Sequence, residues 1–122
     1  MKAVFDSNLL IDYLKGDSRA EAEIEKYSDP LISIVTWIEL LVGSRNPEED
    51  RKIRQFLQRF RVIGLSKEVA EEAILLRRVH RIRLPDAIIW GTAKVERCLL
   101  VTRNTKDFPE NDVSIRIPFR FV

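Results

Sequence analysis

Short apolar runs recur along the chain, each stopping at a polar or acidic residue and each followed by a segment with helical spacing, and this alternation constrains the fold more than any other feature. Residues 2–5 end at Asp6, and Leu9, Leu10, Tyr13 and Leu14 then recur at helical intervals. Residues 18–27 are acidic and contain alanine, Asp29-Pro30 is a breaker pair, and residues 31–35 are β-branched enough for a second strand, with a helix over 36–42 behind it. Pro47 suits the first position of a helix reaching Phe60, with Ile53, Phe56, Leu57 and Phe60 on its buried face. Residues 62–65 read as a brief strand, Ser66 caps a helix with Val69, Ala70, Ala73, Ile74 and Leu76 inward, and Pro85 opens a helix to about Arg97. Residues 99–102 form a buried strand, and residues 113–117 alternate like a final one, which Pro118 limits to an edge or an end. The alternation predicts a three-layer α/β/α sandwich around a mainly parallel sheet of four to five strands, with a ligand crevice at the carboxyl ends of the strands.

Composition agrees with that architecture. A length of 122 residues fits one domain spanning 1–122, and 45% hydrophobic with 33% charged residues can fill a core and solvate a surface. Thr36 and Glu39 interrupt the most apolar stretch, so nothing approaches the roughly 20 residues that span a bilayer. The N-terminus meets Asp6 too early for a secretory signal, which leads to the expectation of a cytoplasmic protein. The single cysteine, Cys98, rules out an internal disulfide and a Cys-based zinc cage, and Leu99 and Leu100 beside it suggest a buried thiol. The single histidine, His80, lies among Arg77, Arg78, Arg81 and Arg83 on an expected solvated helix face, so chemistry by a histidine pair is excluded.

Charge is distributed unevenly although the net value is only +2. Residues 1–50 carry 5 basic and 11 acidic groups, residues 51–83 carry 10 and 3, and residues 84–122 carry 6 and 5. An acidic centre beside a basic flank follows as one reading, and the solvated faces of amphipathic helices as the other. Arg45, Arg51, Lys52, Arg54, Arg77, Arg78 and Arg81 are the candidates for contact with a phosphate backbone. Trp37, Phe56, Phe60 and Trp90 recur at helical spacings and read as core rather than as base-stacking platforms.

Carboxylates fall where the crevice would gather them: Asp6 after the first strand, Glu39 in Thr-Trp-Ile-Glu-Leu, Asp86 in Pro-Asp-Ala-Ile-Ile-Trp-Gly, and Asp107 after the fourth strand. Singly, each has a structural explanation. Aspartate caps helix starts, and Thr36-x-x-Glu39 has the spacing of a capping box. Against the box, Glu39 stands in an apolar helix, where a buried carboxylate needs a cation to meet it. Gathered carboxylates repel, and a hard divalent ion neutralises an all-oxygen cluster; Mg²⁺ or Mn²⁺ suits this set better than zinc. Such an ion positions water for in-line attack on a phosphodiester.

Read in order, Val4-Phe5-Asp6-Ser7-Asn8, Ser33-Ile-Val-Thr36-x-x-Glu39-Leu, Leu84-Pro-Asp86-Ala-Ile-Ile-x-Gly-Thr-Ala and Leu100-Val-Thr-Arg-Asn104-x-x-Asp107-Phe resemble the PIN-domain family, in particular its small VapC-like toxins, over nearly the whole chain. The resemblance implies a PIN-like fold and a Mg²⁺- or Mn²⁺-dependent endoribonuclease that leaves a 5′-phosphate. It also implies a small VapB-like antitoxin covering the acidic pocket, a homodimer, and operon autoregulation. Carried over by motif, Asp6 and Asp86 are metal ligands, Glu39 assists directly or through water, and Asn8 and Thr102 support the pocket. Asn104 stands where some relatives have aspartate, leaving Asp107 to supply the fourth carboxylate.

Three other readings fit parts of the pattern. A phosphoacceptor receiver-type domain shares the parallel α/β layout, but its paired acidic motif at the first strand is absent here, where Ser7 follows a lone Asp6. A catalytically silent PIN-like binding module would use the acidic pocket only to hold a basic segment, and a nuclease acting on DNA would need no 2′-hydroxyl reader.

Overall fold

The computed structural model describes residues 1–120. Five strands, β1 (Lys2–Phe5), β2 (Asp29–Ser33), β3 (Arg61–Ile63), β4 (Leu99–Val101) and β5 (Ile115–Arg116), form one sheet in the order β3-β2-β1-β4-β5, with every neighbouring pair parallel. Six helices connect them: α1 (Ser7–Leu14), α2 (Ser18–Glu25), α3 (Ile34–Val42), α4 (Pro47–Leu57), α5 (Lys67–His80) and α6 (Leu84–Val95). No helix among the described residues is long and apolar enough to cross a membrane.

Strand alternation divides the core into two halves, because successive side chains point to opposite faces. Ala3, Phe5, Ile32 and Val101 face α1 to α4 and pack with Leu9, Leu10, Ile24, Leu40, Ile53 and Phe56. Val4, Leu31 and Leu100 face α5 and α6 and pack with Ala73, Leu76, Ala87, Ile89 and Trp90. The expected α/β/α sandwich is therefore the observed one. Gly91 lets α6 lie close against α5, since a Cβ there would come within 3.1 Å of the Val69 carbonyl oxygen and 3.2 Å of the Ala73 nitrogen.

Several local expectations are corrected. The second strand begins at Asp29, so Pro30 lies inside it; proline is tolerated because it sits near the strand start, before the β2–β3 register opens at Leu31. Ser33 caps α3 by accepting a bond from the Val35 N–H, which leaves Thr36 inside the helix and rules out the capping box. Thr36 is fully buried, and its hydroxyl has no hydrogen-bond partner among the described residues. Ile74 is 41% exposed, because the stripe of α5 against α6 runs through Val69, Ala73 and Leu76, and Ile74 lies beside it. The final strand shrinks to two residues, and Val113 is solvent-exposed. Cys98 is half-buried rather than enclosed, and its partial burial raises the thiol pKa. His80 is exposed as expected, with its ring 4.7 Å from that of Trp90.

Candidate active site

The chain travels from β1 outward to β3, then returns to the other side of β1 to place β4, so the sheet order reverses between β1 and β4. Open parallel sheets bind ligands at that reversal, beyond the carboxyl ends of the strands. Asp6 and Thr102 are the first residues past those two ends. Thr102 Oγ1 donates to Asp6 Oδ2 at 2.8 Å, and Asn8 Nδ2 lies 3.2 Å from the same oxygen. The other carboxylate oxygen of Asp6 accepts from the Ser7 N–H at 2.8 Å, so Asp6 caps α1 and faces the crevice at once.

Asp6 and Asp86 are both buried, at 3% and 5% exposure. Burial is the largest influence on the Asp6 carboxyl and lifts its pKa to about 6 against the hydrogen bonds from Thr102 and Ser7, with Asp86 and Glu39 adding repulsion. Burial likewise raises Asp86, opposed by the Arg83 guanidinium and reinforced by Asp107. Glu39 is raised by partial burial of its carboxyl and then by Asp86, although the residue as a whole is exposed on α3. It does not carry the cost of a carboxylate sealed in an apolar helix, because Ile38 and Val42 beside it are exposed too. The mutual influence of these groups brings Asp6, Glu39, Asp86 and Asp107 into one electrostatic centre.

Asn104 and Asp107 act as a unit. Asn104 Nδ2 donates to Asp107 Oδ2 at 2.8 Å, the Asp107 N–H returns a bond to Asn104 Oδ1 at 3.1 Å, and the Asn104 N–H is 3.0 Å from Thr102 Oγ1. Asp107 therefore brings the charge while Asn104 holds it in place. Behind them, Arg103 makes a two-pronged ion pair with the buried Asp12 of α1 at 2.7 and 3.1 Å, and its backbone N–H donates to Asn8 Oδ1. Sequence reasoning missed the Asp12–Arg103 pair, since nothing in the spacing of residues ninety-one positions apart announces it.

The oxygen-rich donor set and the depth of Asp6 and Asp86 suit a hard divalent ion that keeps part of its water shell and takes one or two carboxylates directly. Among the described residues, no three of Asp, Glu, His and Cys stand close enough to hold an ion between them. The two buried carboxylates, Asp6 and Asp86, would thus suit such an ion as a pair better than as part of a set of three direct ligands.

The seven basic candidates do not form one surface. Arg45, Arg51, Lys52 and Arg54 lie at or on α4, against one face of the sheet, whereas Arg77, Arg78 and Arg81 belong to α5 and its end, on the other. Helical neighbours neutralise three of them, in the pairs Arg45–Glu49, Lys52–Glu48 and Arg54–Asp50. Arg54 also lies over the ring of the half-buried Trp37, at 5.3 Å. Arg77 Nη1 donates to the Ile82 carbonyl at 2.5 Å, which holds a loop in place. The arginine that does reach the acidic centre is Arg83, with Nε 3.2 Å from Asp86 Oδ2 and Nη2 4.0 Å from Asp107 Oδ2. Its position just ahead of Leu84-Pro85-Asp86 was the available signal.

The PIN-domain family model matches residues 3–113. The chain is 34% identical over 112 residues to Ribonuclease VapC10 of Mycobacterium tuberculosis (strain ATCC 25618 / H37Rv), covering 85% of this chain and 84% of that protein. In fold it is similar to a toxin–antitoxin complex from Klebsiella pneumoniae, with a TM-score of 0.90, 37% identity, and 98% and 99% of the two chains covered. It is also similar in fold to VapBC2 from Rickettsia felis bound to a DNA fragment from their promoter, with a TM-score of 0.81, 23% identity, and 95% and 98% covered.

Proposed function

Because the chain belongs to the PIN-domain family, we propose that it is a metal-dependent endoribonuclease and the toxin of a VapBC-type pair, acting on RNA in the cytoplasm. The observation that carries the reading is the pair of buried carboxylates, Asp6 and Asp86, meeting with Glu39 and Asp107 where the sheet order reverses. Such a cluster is costly without a cation and is of use to a reaction that employs one.

Mg²⁺ or Mn²⁺, when bound, would supply charge neutralisation and an activated water for in-line displacement at a phosphodiester. Asp6 and Asp86 would hold that ion, and the Asp6 carboxylate is kept in one orientation because Thr102 and Asn8 both bond its Oδ2. Glu39 and Asp107 orient water at the rim, the latter fixed by Asn104. The phosphate would stay on the 5′ end of the downstream fragment, and the upstream fragment would leave with a free 3′-hydroxyl.

A groove of about 570 Å³ runs from Glu39 between α1, α3 and α4, lined by Ile11, Leu14, Leu40 and Ile53 and edged by Lys15 and Lys52. It is the place for a small antitoxin's apolar segment, since a chain laid there ends at the acidic centre. A second copy of the toxin completes the assembly as a homodimer.

Purified chain, free of antitoxin, should cut mixed RNA with Mg²⁺ or Mn²⁺, leave 5′-phosphate ends, and stop with EDTA. Asp6→Ala and Asp86→Ala should abolish cutting and Asp107→Ala should weaken it. Metal-loaded chain that cuts no RNA would replace this reading with a binding module.

A further inference from the structure

Five of the six helices begin in the same way. Asp6, Asp17, Ser33, Asn46 and Ser66 cap α1 to α5, and each side chain accepts a backbone N–H of its helix. Helix α6 begins at Arg83, which makes no side-chain cap bond. Forgoing a cap leaves the first backbone N–H groups of the helix without a side-chain acceptor. The Arg83 guanidinium instead reaches along the i,i+3 direction to Asp86, whose side chain is only 7% exposed, so the arginine serves the acidic centre rather than the helix end.

The loop that delivers it is held firmly. Arg81 takes left-handed backbone at φ 55°, Ile82 is buried, and Arg77 bonds the Ile82 carbonyl. From that base the Arg83 guanidinium spans Asp86 and Asp107, yet its side chain is 70% exposed. One edge of the group meets the carboxylates and the rest meets solvent at the mouth of the crevice. A planar guanidinium with five donors fits a phosphate as well as it fits a carboxylate. Breaking a local sequence rule in this way is characteristic of functional positions.

We propose that Arg83 is the built-in cation of the acidic centre, pairing with Asp86 and lying beside Asp107 until a divalent metal takes Asp86, and then turning outward to hold a phosphate of the RNA beside the cut. The proposal rests on the nuclease reading and adds to it a residue and an exchange. Two cations that share carboxylates repel, so each weakens the other's hold, and the linkage is reciprocal. The swing breaks no core contact, because the long side chain already stands in solvent.

The test measures binding rather than turnover. Free Mn²⁺ is followed by electron paramagnetic resonance during titration of the unchanged chain, Arg83→Gln and Arg83→Lys, and thermal melts confirm that each variant is folded. Fluorescein-labelled mixed-sequence single-stranded RNA is then titrated in Ca²⁺, its integrity checked on a gel. Arg83→Gln should bind Mn²⁺ roughly threefold more tightly, as expected on removing a competing cation whose own side chain stands mostly in solvent. It should bind RNA roughly tenfold more weakly, the loss of one charged hydrogen bond. Arg83→Lys should keep the Mn²⁺ affinity near that of the unchanged chain and recover only part of the RNA affinity, because an ammonium does not fit the fork. Unchanged or weaker Mn²⁺ binding in Arg83→Gln, or unchanged RNA binding, overturns the proposal alone. An unchanged chain that neither binds Mn²⁺ nor cuts RNA overturns the nuclease reading, and this proposal with it.

Discussion

Thr102 Oγ1 donates a 2.8 Å hydrogen bond to Asp6 Oδ2, joining the carboxyl ends of two adjacent parallel strands that lie ninety-six positions apart in the chain. The bond lowers the pKa of the Asp6 carboxyl against the burial that raises it, so a neutral, fully buried hydroxyl tunes the principal acidic residue. Asn8 and Asn104 bond the same threonine, which makes Thr102 the point where the first strand, the first helix and the fourth-strand loop are tied.

Thr102→Val removes that bond at nearly constant volume. The Asp6 pKa should then rise beyond about 6, and protons should compete with metal at higher pH. The acid limb of kcat/KM should move to higher pH, with a loss of roughly tenfold near neutrality, the usual scale for a group supporting a metal ligand. An acid limb that stays in place would detach Asp6 from the metal.

Asp6→Asn separates stability from activity. Its folded-state pKa of about 6 lies above the ordinary 3.8, so folding gains from protonated Asp6 below pH 3.8 and loses that gain as pH rises through 6. Asparagine keeps the acceptor for the Ser7 N–H and carries no charge. Without metal, the variant should be more stable than the parent by about 1–3 kcal/mol at pH 7.5 and should lose the advantage near pH 4. Urea unfolding at the two pH values measures it; an equal difference at both would assign the effect to something other than charge.

Arg103→Met leaves Asp12 buried without its two-pronged partner. The cost should be about 2 kcal/mol, below that of a fully buried pair because Arg103 keeps some surface in water. Adding Asp12→Leu should restore part of the loss in chemical denaturation. A double variant weaker than the sum of the two single changes would contradict this account.

Gly91→Ala pushes a methyl group against the backbone of α5. Backbone cannot step aside as a flexible side chain can, so the two helices must part and the protein should lose about 1–3 kcal/mol. The first turn of α6 carries Asp86, so Mn²⁺ affinity should fall along with the melting temperature. A melting temperature equal to the parent's would show that the crossing has slack.

Sequence reading reached the sandwich because strand and helix periods alternate cleanly, and it singled out Asp6 where the first apolar run stops and Asp86 where Pro85 opens a helix. Lengths were harder to read. The alternation over residues 113–117 looked like five residues of strand, yet only Ile115 and Arg116 find a neighbour in β4. The basic residues were read as one flank because they are close in sequence, whereas α4 and α5 face opposite sides of the sheet. Arg83 was passed over because an arginine in a run of arginines has no periodicity of its own; its meaning comes from the cap it displaces and the carboxylates it meets.

The order β3-β2-β1-β4-β5 places β1 at the middle of the sheet and sets its neighbour β4 later in the chain than both β2 and β3. In the chain Asp6, Glu39 and Asp86 all come before Thr102, Asn104 and Asp107. Until β4 slots in beside β1, Asp6 has no threonine to orient it and no wall to bury it. A chain extended only as far as Asp86 therefore carries three of the carboxylates without the partners from the fourth-strand loop that orient them.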